Sequence, residues 1–180
     1  MASGVVDVCL IPEVPFALEG RRGLAAYVES TLARRGHAVI CVAEGAGQDL
    51  LSAAGKGSAG TDASGNPILS DVGRFLRGEL KRLVVAPGGD KVDVKYIDPS
   101  YMIRSVTTCA SDRIYAKVLA HNAVHAAFAG FTGVTAGLVS GHHVLLPIPI
   151  VVAAPKTVQV NGKAWNRLRS SIGQPDFVDD

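Results

Sequence analysis

The sequence predicts an α/β fold, namely a three-layer α/β sandwich with a mainly parallel sheet. Two short, continuous apolar runs, at 5–11 and 38–43, have the composition of strands buried in a parallel sheet. Between them, apolar residues recur at helical spacing over 22–35, and Gly36 is suited to end that helix. Strand, helix and strand in this order form a βαβ unit, from which parallel sheets are built.

The rest of the chain continues to alternate between helical and extended patterns. Helical spacing or helix-forming composition predicts three further helices, over 68–83, 110–129 and 163–171. Strand patterns occur at 91–97, 133–139 and 143–148, and the last two flank a tight turn at Ser140-Gly141. The Gly- and Ser-rich stretch 53–67 is predicted to be a flexible loop within a single domain fragment that spans 1–180.

Composition excludes several classes of protein. The 180 residues are 48% hydrophobic and 19% charged, as in globular proteins, and the net charge of +2 gives no electrostatic case for nucleic acid as main partner. No apolar run reaches the roughly 20 residues of a membrane span, and the start has no secretory signal. Three cysteines without CxxC spacing favour a reducing compartment such as the cytoplasm, and we expect Cys41 and Cys109 to be buried.

The stretch 95–105 contains an unusual concentration of ligand-binding side chains. Lys95, Tyr101 and Arg104 lie close together around the turn at Pro99. Arginine binds phosphate through two parallel hydrogen bonds, lysine binds it as a point charge, and a tyrosine hydroxyl can donate to the same group. The alternative interpretation is a solvated loop in which the arginine forms a salt bridge.

Three motifs in this order carry a resemblance to a known family: Cys9-Leu10-Ile11-Pro12-Glu13, 42–48 (VAEGAGQ) and 96–104 (YIDPSYMIR). Together they resemble the C-terminal part of a 6-phosphofructokinase, most like the plant and protist ATP-dependent type. The start and end of the helix predicted at 110–129 also resemble that family, so the resemblance covers almost the whole chain. It implies the α/β fold already predicted from the residue patterns.

The resemblance implies a role in binding fructose 6-phosphate for four residues. Glu13 would accept hydrogen bonds from sugar hydroxyls, and Tyr101 and Arg104 would hold the 6-phosphate. Lys95 would reach a substrate phosphate across a subunit boundary. The alternatives are a loop salt bridge for Glu13 and simple solvation for Lys95.

The resemblance also implies that catalytic parts lie outside the region covered. In the family, a Gly-Gly-Asp loop holds the nucleotide phosphates and metal, and a separate aspartate acts as the base; both precede this region. Gly88-Gly89-Asp90 leads into a predicted strand, so we expect a turn there. His121 and His125 lack the glutamate of a zinc-binding helix. The complete enzyme would need ATP and Mg²⁺, but we assign no catalytic residue and no metal ligand here, and expect the chain alone to be inactive.

The predicted function is therefore the fructose 6-phosphate-binding half of a 6-phosphofructokinase of glycolysis. Two alternatives stay open: a non-catalytic sugar-phosphate-binding or regulatory subunit, and a fragment of a pyrophosphate-dependent enzyme. The expected partners are fructose 6-phosphate, and the N-terminal half or other phosphofructokinase subunits in a homo-oligomer, without nucleic acid or membrane. A plastid location is the alternative to the cytoplasm.

Overall fold

The computed structural model describes residues 3–57, 60–153 and 156–178, which divide into two compact units. Unit 1 comprises Met1–Ile97 and Val158–Asp180, and unit 2 comprises Asp98–Thr157. The elements in chain order are β1 (Val8–Leu10), α1 (Leu24–Arg35), β2 (Ile40–Val42), α2 (Gln48–Ala53), α3 (Val72–Leu83), α4 (Ala110–Phe128), β3 (Val134–Val139), β4 (His142–Pro147), α5 (Ile148–Val152) and α6 (Lys163–Ile172). The predicted α/β class is confirmed, whereas three-layer packing and the single domain stay predictions.

The βαβ unit predicted at the start of the chain is confirmed. β1 and β2 pair in parallel, with Cys9 in register with Cys41, and α1 connects them. Helix α1 ends at Gly36, whose backbone is left-handed (φ 75°) and whose N–H bonds to the Leu32 carbonyl. A residue with a Cβ adopts this conformation only at a cost, which explains the glycine.

The core of unit 1 lies between the β1–β2 pair and helices α1 and α3. It is built from aliphatic and aromatic side chains, including Val8, Leu10, Phe16, Leu24, Val28, Leu51, Phe75, Leu76 and Leu80. Helix α3 begins at Val72, four residues after the predicted start, because Asp71 caps it by accepting a hydrogen bond from the Arg74 N–H. Ile68 and Leu69 precede this cap and are exposed.

The predicted strand at 91–97 is wrong. Lys91 forms a single bridge with Val85, and the described residues beyond it pair with no strand. The predicted alternation is nevertheless present, since Val92 and Val94 are half-buried while Asp93 is exposed. The turn predicted before this segment is confirmed, with Gly88 and Gly89 both at positive φ (106° and 89°).

Unit 2 consists of helix α4, the β3–β4 hairpin and the short helix α5. The predicted hairpin is confirmed: β3 and β4 are antiparallel, and Ser140 and Gly141 have the positive φ angles of a type I′ turn. Helix α4 forms as predicted, although Cys109 occupies the N-cap position and Ala126 is the residue it buries within this structure. Helix α5 was not predicted, because its β-branched composition favours a strand.

The C-terminal segment of unit 1 folds back over β1. Helix α6 buries Trp165, and beyond it the Ala17 N–H donates to the Phe177 carbonyl at 3.1 Å.

The stretch 53–67 contains a local turn in which Asp62 accepts a hydrogen bond from the backbone N–H of Asn66. Residues 58 and 59 lie outside the described residues, and the flexibility of this stretch stays a prediction. Among the described residues, no helix is long and apolar enough to cross a membrane.

Candidate functional site

Glu13 lies just beyond the carboxyl end of β1, in the turn that follows Pro12. Its side chain is half-buried, and Oε1 accepts a hydrogen bond from the backbone N–H of Val158 at 2.7 Å. The alternative role considered for Glu13 was a loop salt bridge, but the observed contact is a hydrogen bond from a backbone N–H. This bond ties the β1 loop to the segment that leads into α6.

The second carboxylate oxygen of Glu13 has no hydrogen-bond partner among the described residues, although it is buried. A buried acceptor without a donor costs free energy, so the oxygen gains from any donor that reaches it. A hydroxyl group or an ordered water molecule has the required chemistry.

A second carboxylate occupies the same edge of the sheet. Glu44 follows the carboxyl end of β2, which is adjacent and parallel to β1. The two loops touch, since a Cβ placed on Gly45 would lie 3.0 Å from the Pro12 ring. Gln48 fixes the Glu44 loop by hydrogen bonds to the Glu44 carbonyl and to both backbone groups of Ser70. Ligands of parallel sheets bind at this edge, and that rule could have drawn attention to Glu44 from the sequence.

Lys95 lies in the extended segment that follows the Gly88-Gly89 turn and ends at Ile97, the last residue of the first part of unit 1. Its side chain is 81% exposed, and Nζ lies 3.7 Å from the equally exposed Asp93 carboxylate. An exposed pair at this distance contributes little to stability. The ammonium group is thus accessible to an anion from solvent.

Tyr101 and Arg104 share one turn segment of unit 2. The Ile103 N–H donates to the Pro99 carbonyl, and the Ser105 N–H donates to the Met102 carbonyl. Tyr101 is 84% exposed. Within the described part of unit 2, the Arg104 guanidinium forms no hydrogen bond and no ion pair. The salt bridge considered as its alternative role is therefore absent there.

Asp98 and Ser100 fix the start of this turn segment. The Ser100 N–H and hydroxyl both donate to Asp98 Oδ1, at 3.0 and 2.6 Å. These hydrogen bonds, that of the Ser100 hydroxyl first, lower the pKa of the Asp98 carboxyl. Through these hydrogen bonds the Asp98 carboxylate holds the backbone of the segment that contains Tyr101 and Arg104.

The structure groups the predicted residues only in part. Tyr101 and Arg104 lie three residues apart on one turn segment, whereas Glu13 and Lys95 belong to unit 1 and have separate partners, Val158 and Asp93. Of the four predicted residues, Tyr101 and Arg104 are thus the pair that shares one segment.

The Gly88-Gly89-Asp90 turn does not have the form of a phosphate-binding loop at a helix N-terminus. Asp90 closes a hairpin turn by accepting the Ala86 N–H, and no helix N-terminus follows Gly88-Gly89 to face a phosphate. Over residues 3–57, 60–153 and 156–178, no group of three or more His, Cys, Asp or Glu side chains could hold a metal ion.

The expectation that Cys41 and Cys109 are buried is wrong. Both are exposed, whereas Cys9 is half-buried. Cys41 lies at the open edge of a two-stranded sheet, and Cys109 occupies the exposed N-cap of α4. Burial raises the pKa of the Cys9 thiol, and the neighbouring Cys41 raises it further.

Comparison with known proteins finds relatives that share one name. No family profile matches the chain. The chain is 49% identical over 181 residues to the chloroplastic ATP-dependent 6-phosphofructokinase 5 of Arabidopsis thaliana, covering 99% of the chain and 32% of that protein. It is 42% identical over 178 residues to the ATP-dependent 6-phosphofructokinase of Amycolatopsis methanolica (97% and 39%), and 36% identical over 171 residues to that of Trypanosoma brucei brucei (94% and 34%).

These relatives confirm the resemblance that the three motifs predicted. The identity extends over nearly the whole chain, well beyond the motifs themselves. The chain spans about a third of the length of the relatives it matches. It is thus homologous to a segment of the ATP-dependent 6-phosphofructokinases.

Proposed function

We propose that this chain is the fructose 6-phosphate-binding portion of an ATP-dependent 6-phosphofructokinase. The relatives are named ATP-dependent 6-phosphofructokinases, and the complete enzyme is proposed to transfer the γ-phosphoryl group of ATP to the 1-hydroxyl of fructose 6-phosphate. The observation that carries this proposal is the turn segment that contains both Tyr101 and Arg104, whose guanidinium has no ion-pair partner among residues 3–57, 60–153 and 156–178.

The chemistry of that segment suits a phosphate monoester. The guanidinium of Arg104 offers parallel N–H donors that match two phosphate oxygens, and the Tyr101 hydroxyl offers a third donor. Because the guanidinium has no anionic partner among the described residues, phosphate binding breaks no ion pair formed by them. The Asp98–Ser100 hydrogen bonds hold the segment before the ligand arrives, which reduces the entropic cost of binding.

Glu13 is proposed to bind the sugar. Its Oε2, which has no hydrogen-bond partner among the described residues, is an acceptor suited to a hydroxyl, while Oε1 remains bonded to Val158 and fixes the side chain. Lys95 is proposed to add a positive charge near a substrate phosphate, including one held by a neighbouring subunit. Neither residue is proposed to take part in bond making.

ATP and Mg²⁺ are proposed to bind residues outside this chain. Phosphoryl transfer relies on positioning and on cationic stabilisation of the moving charge, and the parts that supply both to the nucleotide are proposed to lie outside this chain. The chain alone is therefore proposed to bind sugar phosphate without turning it over, and to need the rest of the enzyme or further subunits. The names of relatives include chloroplastic forms and forms with no stated compartment, so both plastid and cytoplasm fit the proposal.

Isothermal titration calorimetry of the full 180-residue chain and its variants with fructose 6-phosphate tests the proposal. Arg104→Ala is expected to weaken binding by at least about tenfold, since charge-assisted hydrogen bonds are lost. Tyr101→Phe should cost about threefold to tenfold. The matched control is Arg34→Ala, which removes an exposed arginine bonded only within α1. Equal affinities of Arg104→Ala and Arg34→Ala would contradict the proposal.

A further inference from the structure

Two cysteines lie side by side in the β1–β2 pair. Cys9 of β1 and Cys41 of β2 are register partners in this parallel pairing, and both thiols are free. The Ala43 N–H donates to the Leu10 carbonyl at 2.9 Å just beyond the two cysteines, which helps to fix the register. Adjacent strands of a sheet lie about 4.8 Å apart, so the Cα atoms of the two cysteines are held at about that distance.

The two thiols project from the same face of the sheet. Register partners on neighbouring strands point their side chains to one side. The residues that flank each cysteine pack against the core of unit 1, so both cysteines point to the opposite face. The flanking residues are Val8, Leu10, Ile40 and Val42. Burial first, and the nearby Cys41 second, raise the pKa of the Cys9 thiol, and the second effect agrees with two thiols that lie close together.

This spacing suits a disulfide bond. Cysteines joined by a disulfide usually have their Cα atoms roughly 4.4–6.8 Å apart, a range that includes the spacing of adjacent strands. The side-chain amide of Gln174 bonds to both the N–H and the carbonyl of Cys9 and so holds this residue in place. The bond can therefore form without separating the two strands.

The two thiols differ in their access to reagents. Cys41 is exposed, whereas Cys9 is half-buried and lies beside Trp165 and Gln174. An oxidant from solvent therefore meets Cys41 first. Cys9 is then placed to react with the modified Cys41, as a resolving thiol does.

We propose that Cys9 and Cys41 are a redox modification site that forms a reversible intrachain disulfide, with a small disulfide such as oxidised glutathione as the oxidant. The Cys41 thiolate attacks one sulfur of oxidised glutathione, which breaks the S–S bond and releases one glutathione thiolate. The Cys9 thiolate then attacks the Cys41 sulfur of the mixed disulfide and releases the second glutathione thiolate. The two cysteines are oxidised and lose their protons, which the two glutathione thiolates take up as they become thiols.

The position of this bond connects it to the carboxyl edge of the sheet. A disulfide here would join β1 and β2 directly before the loops that carry Glu13 and Glu44. Disulfides with an exposed sulfur are the labile ones, so a dithiol reductant is expected to restore both thiols. The proposal does not depend on sugar-phosphate binding.

The test equilibrates the full reduced chain with mixtures of oxidised and reduced glutathione and digests it with trypsin without reduction. Cleavage after Arg21 and Arg35 separates Cys9 from Cys41, so a linked pair of peptides identifies the bond. The glutathione ratio at half-oxidation gives the effective concentration of one thiol toward the other. We expect this concentration to be at least about tenfold higher in the folded chain than in the chain unfolded by urea, because the fold holds the thiols together. Equal values, or a Cys41–Cys41 bond between two chains, would overturn the proposal.

Two matched variants test the order of the steps, each treated with an excess of oxidised glutathione. Cys9→Ser should retain glutathione on Cys41, because no resolving thiol remains. Cys109→Ser changes an exposed thiol of unit 2 that bonds to Ser111 and Asp112, and it should form the Cys9–Cys41 bond as the unmodified chain does. Circular dichroism checks the folding of each variant, and the linked peptides of the unmodified chain decide the question if Cys9→Ser does not fold. Folded Cys9→Ser without glutathione on Cys41, or unmodified chain that retains glutathione on Cys41, would overturn the proposal.

Discussion

The side-chain amide of Gln174 pairs with both backbone groups of Cys9, across 165 positions of the chain. This contact joins the C-terminal segment to β1, the strand that leads into Glu13. Together with the bonds from Val158 to Glu13 and from Ala17 to Phe177, it fixes the Glu13 loop from both sides. The position of Glu13 therefore depends on contacts from residues 158, 174 and 177.

Replacing this amide should destabilise unit 1. Gln174→Leu leaves the Cys9 N–H and carbonyl without partners in a buried setting, so the free energy of unfolding should fall by on the order of 2 kcal/mol. Urea unfolding measures the change. Gln159→Leu, at an exposed glutamine in the same segment, should be nearly neutral; similar losses in the two variants would contradict this account of Gln174.

Two glycines of α3 should respond oppositely to alanine. A Cβ on Gly73 would lie 2.2 Å from the Tyr96 ring, whereas a Cβ on Gly78 meets nothing within 4 Å. Gly78→Ala should stabilise the helix by about 0.5–1 kcal/mol. Gly73→Ala should instead destabilise unit 1 by about 1 kcal/mol or more, because the ring must move. Thermal unfolding of both variants checks this, and a gain in both would show that Tyr96 does not pack on Gly73.

The thiols of β1 and β2 should differ in their dependence on pH. Burial first, and the neighbouring Cys41 second, raise the pKa of Cys9, so less of it is thiolate at a given pH. Iodoacetamide should therefore modify Cys9 more slowly than Cys41 near pH 8.5, and half-maximal reactivity of Cys9 should require a higher pH.

The same shift links Cys9 to stability. A raised pKa in the folded state contributes stability below the unfolded-state pKa, and this contribution is lost as pH rises through the folded-state pKa. Cys41→Ser should lower the pKa of Cys9 part of the way, because burial remains. Mass spectrometry of the alkylated peptides gives the modification rates of Cys9 and Cys41. Faster modification of Cys9 than of Cys41 would contradict a raised pKa of Cys9.

The turn that presents Arg104 should be sensitive to Ser100. Ser100→Ala removes the hydroxyl that most lowers the pKa of Asp98, so that pKa should rise, while the backbone N–H at position 100 still donates. Carboxyl-carbon NMR titration measures it. Ser105→Ala is the control, since its hydroxyl bonds to the Met102 carbonyl instead. An unchanged Asp98 pKa in Ser100→Ala would mean that the hydrogen bond does not form in solution.

Sequence patterns were sufficient to predict elements that depend on residue spacing, turn residues or the order of neighbouring elements. Helix α1 with its Gly36 end, the parallel pairing of β1 and β2, and the Ser140-Gly141 hairpin all follow from spacing and turn chemistry. The segment 91–97 was predicted as a strand because its alternation is real, but a strand also needs a neighbour to pair with. Sequence spacing does not show which neighbour is present.

The candidate site residues were proposed from residue types and motifs, and their roles stay predictions. The residue types of Tyr101 and Arg104 indicate phosphate chemistry, and the structure leaves their donors available. The contact between Glu13 and Val158, and the Gln174 amide on Cys9, join residues more than 140 positions apart. No periodicity or motif encodes such contacts, because they arise only once the chain has folded back.

The most direct test of the central claim is a calorimetric titration of the unmodified chain with fructose 6-phosphate and, separately, with fructose. The account predicts saturable binding of fructose 6-phosphate and at least about tenfold weaker binding of fructose, since the Arg104 and Tyr101 donors act on the phosphate. Absence of fructose 6-phosphate binding by the folded chain, or equal binding of the two sugars, would contradict it.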